Sequence, residues 1–280
     1  MKRRLSFLCA VLMALSLCAC GHEKAPAETE PETWVQTVTV TFPEGMTADA
    51  IARKLEQNGV CSAAAFLQAA GSADTAAYPF LASVDEPDSR FRLLEGYLYP
   101  DTYEFYLDED ADSVLARFLD NFAVKWTDEY AARAAELGES VDDVLTLASV
   151  IQGEAGSREQ MATVSGILRN RLADADNFPY LQCDSTSEYV TDVIKPSAEN
   201  EAAFRAAYDT YDAARPGLPV GPICNPGDDA IRAALWPETS EYIYFRHDKT
   251  GKIYYAKTLE EHEQNGLLVE QVNGTEATAP

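Results

Sequence analysis

Ser140-Val141-Asp142-Asp143-Val144-Leu145-Thr146-Leu147-Ala148-Ser149-Val150-Ile151-Gln152-Gly153-Glu154, running on into Ala155-Gly156-Ser157, is the stretch whose reading decides the fold. Ser140 with Asp143 three residues later has the layout of a capping box that opens a helix. Val144, Leu147, Ile151 and Glu154 then recur at spacings of three and four, which places them on one helical face. The pattern predicts a helix that breaks at Gly153 and Gly156 and carries Glu154 at the far end of an apolar stripe. Ser157 with Gln160 is expected to cap a second helix, with Met161, Val164, Leu168 and Leu172 facing inward. A carboxylic acid at the edge of apolar surface, near the negative end of a helix dipole, is poorly solvated when ionised. Its pKa rises, and it can hold a proton near neutral pH. Periodicity alone also allows a plain solvated residue in a helix-to-helix turn.

Towards the N-terminus, helical patterns occupy roughly Ala111–Lys125 and Thr127–Leu137. Before them, Glu95-Gly96-Tyr97-Leu98-Tyr99-Pro100-Asp101-Thr102-Tyr103-Glu104-Phe105 is too aromatic for a plain loop and too broken by Gly and Pro for a helix. Val35–Phe42 alternates apolar and polar residues and reads as a strand, Pro43-Glu44-Gly45 as a turn, and Thr47 as the cap of a helix carrying Ile51 and Leu55. A second short helix is expected around Ser62–Ala70. This strand, turn, helix, helix unit resembles a LysM-like module of the kind that contacts peptidoglycan. The expected fold is α+β: a small LysM-like module at 35–85, a larger mixed α/β unit at 86–270, and a disordered tail at 271–280.

Residues 1–20 read Lys2-Arg3-Arg4, an apolar run from Leu5 to Leu17, then Cys18-Ala19-Cys20, the layout of an export signal. The run falls short of the ~20 residues a membrane span needs. Leu17-Cys18-Ala19-Cys20-Gly21 resembles a lipobox, which implies lipidation of Cys20 and an extracytoplasmic domain anchored to the cell membrane. Ordinary cleavage near Ala19 stays open. Residues 21–34 are Pro, Glu, Thr and Ala with almost no large apolar side chain, so a disordered tether is expected.

The formal net charge is −24, and removing residues 1–20, which carry three basic and no acidic side chains, deepens it to −27. Nucleic acid and anionic lipid surfaces would be repelled; a neutral sugar backbone would not. Cys61, Cys183 and Cys224 lack zinc-site spacing, and His22, His247 and His262 are scattered. No metal and no cofactor are expected.

Leu147-Ala148-Ser149-Val150-Ile151-Gln152-Gly153-Glu154, followed by Ile167-Leu168-Arg169-Asn170-Arg171-Leu172, is similar to the signature of the YceG-like, or MltG, family of endolytic murein transglycosylases. Further blocks fall in that family's order: Leu94 to Tyr103, Leu181-Gln182-Cys183-Asp184-Ser185-Thr186, Tyr208-Asp209-Thr210-Tyr211, and Gly217 to Gly227. The strand at Tyr242-Ile243-Tyr244-Phe245, the Lys249-Thr250-Gly251 turn and Glu261-His262 complete a match from Val35 to Asn265. Departures are Gln152, where the family often has a second glutamate, and Asp209, where it often has asparagine.

The resemblance implies that Glu154 is the catalytic acid and base, in a cleft bordered by the blocks at 95–103, 182–186 and 208–227. It implies cleavage of peptidoglycan strands to 1,6-anhydro-MurNAc ends, because the C6 hydroxyl of the same muramic acid supplies the nucleophile. Glu95, Gln182, Asp184, Thr186, Tyr208 and Asn225 are the candidate substrate contacts, with Tyr97, Tyr99 and Tyr211 as further stacking faces. Cys183 and Cys224 fall in two of these blocks, and a disulfide between them is a candidate. Partners are peptidoglycan glycan strands and peptidoglycan synthases whose identity the sequence does not reveal. Two rivals are a non-catalytic, exported cell-wall-binding lipoprotein and a PLP-dependent aminodeoxychorismate lyase, an intracellular activity that an export signal argues against.

Overall fold

β1 (Thr37–Thr41) forms where Thr and Val alternate, with Val40 turned into the core. α1 (Ala48–Gln57) follows, opened by the Thr47 hydroxyl accepting the Ala50 N–H, and α2 (Ala63–Gly71) is capped in the same way by Ser62. β2 (Thr102–Tyr106) pairs with β1 antiparallel, from Thr37 opposite Tyr106 to Thr41 opposite Thr102. The strand read as part of a small N-terminal module therefore finds its partner beyond residue 100. The Phe42 ring packs on Phe118 at 5.1 Å and on Tyr103 at 6.0 Å, so this segment shares its core with residues some sixty to eighty positions further along the chain.

The structure is a computed structural model that describes residues 36–84, 86–196, 201–212 and 216–275. These residues belong to one compact unit that begins at Gln36. The expected export signal, Cys20 and the tether lie outside them. Among them, no helix is long and apolar enough to cross a membrane.

α3 (Ala111–Lys125) and α4 (Asp128–Leu137) lead to the central element, α5 (Val141–Glu154). Ser140 and Asp143 form the reciprocal capping box expected of them. α5 is buried nearly all round, with Val144, Leu145, Leu147, Ala148, Val150 and Ile151 almost fully shielded. Truncating Leu145, Leu147 or Ile151 to Ala costs about 2–5 kcal/mol. α6 (Met161–Ala173), α7 (Asp184–Tyr189), α8 (Glu201–Tyr208) and α9 (Asp228–Leu235) come next; α6, α7 and α9 pack directly on α5. A hairpin of β3 (Tyr244–His247) and β4 (Ile253–Ala256) then carries α10 (Leu259–Thr275). The two short antiparallel sheets among many helices make the fold mixed α and β, and α10 extends five residues into the tail expected to be disordered.

Ser157 does not cap α6: a 3₁₀ turn at Arg158–Gln160 intervenes, with no side-chain cap. The Gln160 amide is engaged elsewhere. Its oxygen accepts the Gly156 N–H at 2.9 Å and its nitrogen donates to the Gly251 carbonyl at 3.0 Å, tying the end of α5 to the hairpin turn.

Candidate active site

Glu154 is the last residue of α5, and its carboxylate is held from α7. The Ser185 N–H donates to Oε1 at 3.0 Å and the Ser185 hydroxyl to the same oxygen at 2.7 Å. No protein group among the described residues bonds Oε2. Gly153 makes this approach possible, since a Cβ there would stand 2.7 Å from the Ser185 Cβ. Burial pushes the Glu154 carboxyl above its ordinary value; the two Ser185 bonds pull the other way, the Asp184 charge adds to the rise and the Arg171 charge opposes it. The net rise favours the protonated acid, and the open Oε2 is where that proton can sit.

A cavity of about 600 Å³ opens beside it, lined with Gln182, Asp184, Tyr211, Tyr244, Arg246 and His247 among others. Gln182 has left-handed backbone, φ +56°, uncommon for a side chain with a Cβ and a mark of a position held by its surroundings. Tyr211 donates its hydroxyl to Asp184 Oδ1 at 2.7 Å, fixing that carboxylate at the mouth of the cleft. His247 bonds Gln160 Oε1 through Nε2 at 2.9 Å, and burial lowers its pKa. A second cavity of about 310 Å³ is lined by Gly153 and Ser185, the chain neighbours of Glu154 and Asp184, together with Gln152, Tyr189, Ile223 and Cys224. Among the described residues no cluster of His, Cys, Asp or Glu could hold a metal ion.

Other residues expected to touch substrate are placed inside the walls. Asn225, fully buried, accepts the Gly96 and Leu98 N–H groups on Oδ1, both at 2.9 Å, and donates to the Met46 carbonyl and to Glu95. Glu95, equally buried, also accepts the Ala48 N–H at 2.8 Å and the Tyr189 hydroxyl at 3.1 Å; burial pushes its pKa up to about 8. Thr186 is buried against Cys183 and Thr210, and the Tyr208 hydroxyl accepts the Phe91 N–H. Tyr97 is buried on Asp142, and Tyr99 is nearly so. These side chains have little or no surface left for a sugar, and no residue of the block at 95–103 lines either cavity. Gly96, at φ +91°, sits where a Cβ would come within 2.5 Å of Pro222, which locks that block to the 217–227 loop.

Cys183 and Cys224 are free thiols, so the candidate disulfide is not formed. They sit in different surroundings, Cys183 Sγ reaching its own loop at the Leu181 carbonyl and Cys224 Sγ reaching α5 at the Ser149 carbonyl.

Ser185, Arg171 and the hairpin residues Tyr244, Arg246 and His247 join the site without having been singled out as contacts. The available signal was that each lies in or beside a block that carries the family resemblance.

One partly buried acid, anchored on one oxygen and open on the other beside a polar cavity, is the candidate acid–base group of this helical scaffold. The sequence profile of the YceG-like family matches residues 25–266, and the chain belongs to that family. It is 30% identical over 255 residues to an endolytic murein transglycosylase of Streptococcus pneumoniae serotype 2 (strain D39), covering 84% of this chain and 45% of that protein. It is also 30% identical over 172 residues to an endolytic murein transglycosylase of Bacillus subtilis (strain 168), covering 61% and 46%. The chain therefore spans less than half the length of these curated relatives. The crystal structure of a YceG-like protein from Listeria monocytogenes aligns with a TM-score of 0.68 at 32% identity, over 81% of this chain and 75% of that one.

Proposed function

We propose that this protein cuts the MurNAc–GlcNAc glycosidic bond within peptidoglycan strands by lytic transglycosylation, with Glu154 as general acid and then general base. The observation that carries the proposal is the Glu154 carboxyl itself, desolvated enough to be raised in pKa, anchored through Oε1 and open at Oε2. Names of relatives in the same family point the same way.

A hydrolase of the common kind needs a second carboxylate to activate water or form a covalent intermediate. In the lytic reaction Glu154 Oε2 donates its proton to the departing GlcNAc oxygen. It then removes the proton from the C6 hydroxyl of the same muramic acid as that oxygen closes on the anomeric carbon. The nucleophile is already tethered, so the entropic cost of recruiting water falls away. Positive charge developing on the ring faces Asp184, and Gln182 and Tyr211 offer hydrogen bonds to the sugar. The buried Glu95, Asn225, Thr186 and Tyr208 hold the walls in place. The reading takes the protein as extracytoplasmic, anchored through lipidated Cys20 as residues 1–21 suggest, and needs no cofactor.

Glu154→Gln keeps the shape and the Ser185 bonds but has no proton to give. A loss of roughly 10²–10⁴-fold in release of anhydro-ended fragments from peptidoglycan, read by mass spectrometry, is expected. Retention of a tenth of the activity would assign the acid to another group, and activity absent from both proteins would favour a non-catalytic wall-binding role.

A further inference from the structure

Arg90, Arg92, Arg117, Arg133, Arg158, Arg169 and Arg205 each pair with a carboxylate, as expected in a chain of net charge −24. Arg171 and Arg246 have no carboxylate partner among the described residues, and both line the Glu154 cavity. Arg171 donates through Nε to the Ile243 carbonyl at 2.7 Å and through Nη1 to the Leu181 carbonyl at 2.6 Å, which leaves Nη2 without a protein acceptor. Arg246 bonds His262 Nε2 through Nη2 at 3.0 Å.

A guanidinium can only donate, so His262 Nε2 accepts, and the imidazole is neutral with its proton on Nδ1. Burial and the charges of Arg246 and Arg171 lower the pKa of His262 and keep it in that form. His262 Nδ1 and Arg246 Nε are both buried without a hydrogen-bond partner. Aromatic faces hold the group in place. His262 stacks on Tyr244 with centroids 5.1 Å apart, and the Arg171 guanidinium lies 5.9 Å from the Tyr244 ring and 5.7 Å from that of Phe245. The cleft therefore has an acidic part at Glu154 and Asp184 and a cationic corner at Arg171 and Arg246, braced by the neutral His262.

We infer that this corner is a carboxylate subsite that receives the acidic group on the lactyl branch of the substrate's muramic acid. The inference rests on the peptidoglycan reading above. In intact strands that group is a carboxylate of the attached peptide; in strands stripped of peptide it is the lactyl carboxylate itself. Planar guanidinium groups match a carboxylate in two-pronged fashion, and fixed side chains lose little freedom on binding it. The chain as a whole carries a net charge of −24 and disfavours anions, so two guanidiniums side by side in one cavity are a local exception.

The test uses the full-length chain carrying Glu154→Gln, so that ligands survive. Three oligosaccharides of equal length are titrated by calorimetry: peptide-bearing MurNAc–GlcNAc, the same strand without peptide, and a neutral chito-oligosaccharide. Adding Arg246→Gln, or Arg246→Lys should the first variant fold poorly, is expected to weaken one or both acidic ligands roughly tenfold or more and to leave the neutral one unchanged. The acidic ligand that suffers identifies which carboxylate is held. Equal losses on all three ligands, or none, would overturn the subsite, as would equal affinity for all three in the Glu154→Gln protein with Arg246 intact. Cleavage that depends on Glu154 despite such indifference would leave the catalytic reading standing. Discrimination by charge without any cleavage would sink only that reading, and no binding of any ligand would sink both.

Discussion

Ser185 gives both its N–H and its hydroxyl to one oxygen of Glu154, at 3.0 and 2.7 Å, so the proposed acid is oriented by a residue on another helix, 31 positions away in sequence.

Those bonds favour the ionised carboxyl and so lower the pKa that burial raises. Ser185→Ala removes the hydroxyl and keeps the backbone bond, so the Glu154 pKa moves further up. In the proposed reaction the protonated form is the acid, and rate falls as pH rises through its pKa. The alkaline limb of the kcat/KM profile on peptidoglycan should shift to higher pH, with maximal rate down roughly tenfold. A limb that moved down would mean that the hydroxyl does not bond the carboxylate in the working protein.

Gly153→Ala places a methyl 2.7 Å from the Ser185 Cβ and forces α5 and α7 apart at the site. We expect a stability loss of about 1–3 kcal/mol in chemical denaturation and a rate loss of roughly 10–10²-fold from misplacing the acid. Full activity at unchanged stability would show that the contact gives way freely.

Glu95 titrates at about 8, raised from 4.5 by burial. The folded state holds a proton that the unfolded state loses first, so the stabilisation is complete below pH ~4.5 and is lost as pH climbs through about 8. Glu95→Gln should fold and flatten the decline in Tm between pH 5 and 8, whereas Glu95→Ala should cost on the order of 3–5 kcal/mol by orphaning Asn225 and Ala48. An unchanged pH slope in the Gln variant would place the titrating group elsewhere.

Peptide mapping after alkylation should find Cys61, Cys183 and Cys224 all unbridged. In the native state only half-buried Cys61 should react, and slowly, because burial and nearby carboxylates push its thiol up to about 11. A Cys183–Cys224 peptide would contradict the free thiols of the structure.

What the sequence makes legible is local. The Thr47, Ser62 and Thr127 caps and the Ser140–Asp143 box declare their helices because both partners lie within one turn. Ser157 and Gln160 carry the same pattern and fail, since Gln160 has better partners in Gly156, His247 and Gly251. Glu154 is legible as the end of a stripe, but Ser185 is not, because a serine 31 residues away carries no periodic signal. Asn225 and Thr186 are the residue types that bind sugars and also the types that satisfy buried backbone; only burial separates the two uses. Tyr97 and Tyr208 make the same point for aromatics: ring chemistry is visible in the sequence, and solvent access is not.

The knot at Asn225 joins the Met46 carbonyl, the Gly96 and Leu98 N–H groups and the Glu95 carboxyl, across sequence separations of 127 to 179 residues. Closing loops of that size costs chain entropy before any contact repays it, which makes such topologies slow to assemble. A ribosome delivers Met46 and Glu95 well before Asn225, and the hairpin that walls the cleft comes later still. The nascent chain therefore lacks this junction until Asn225 has been made, and the hairpin wall of the Glu154 cavity is added only after it.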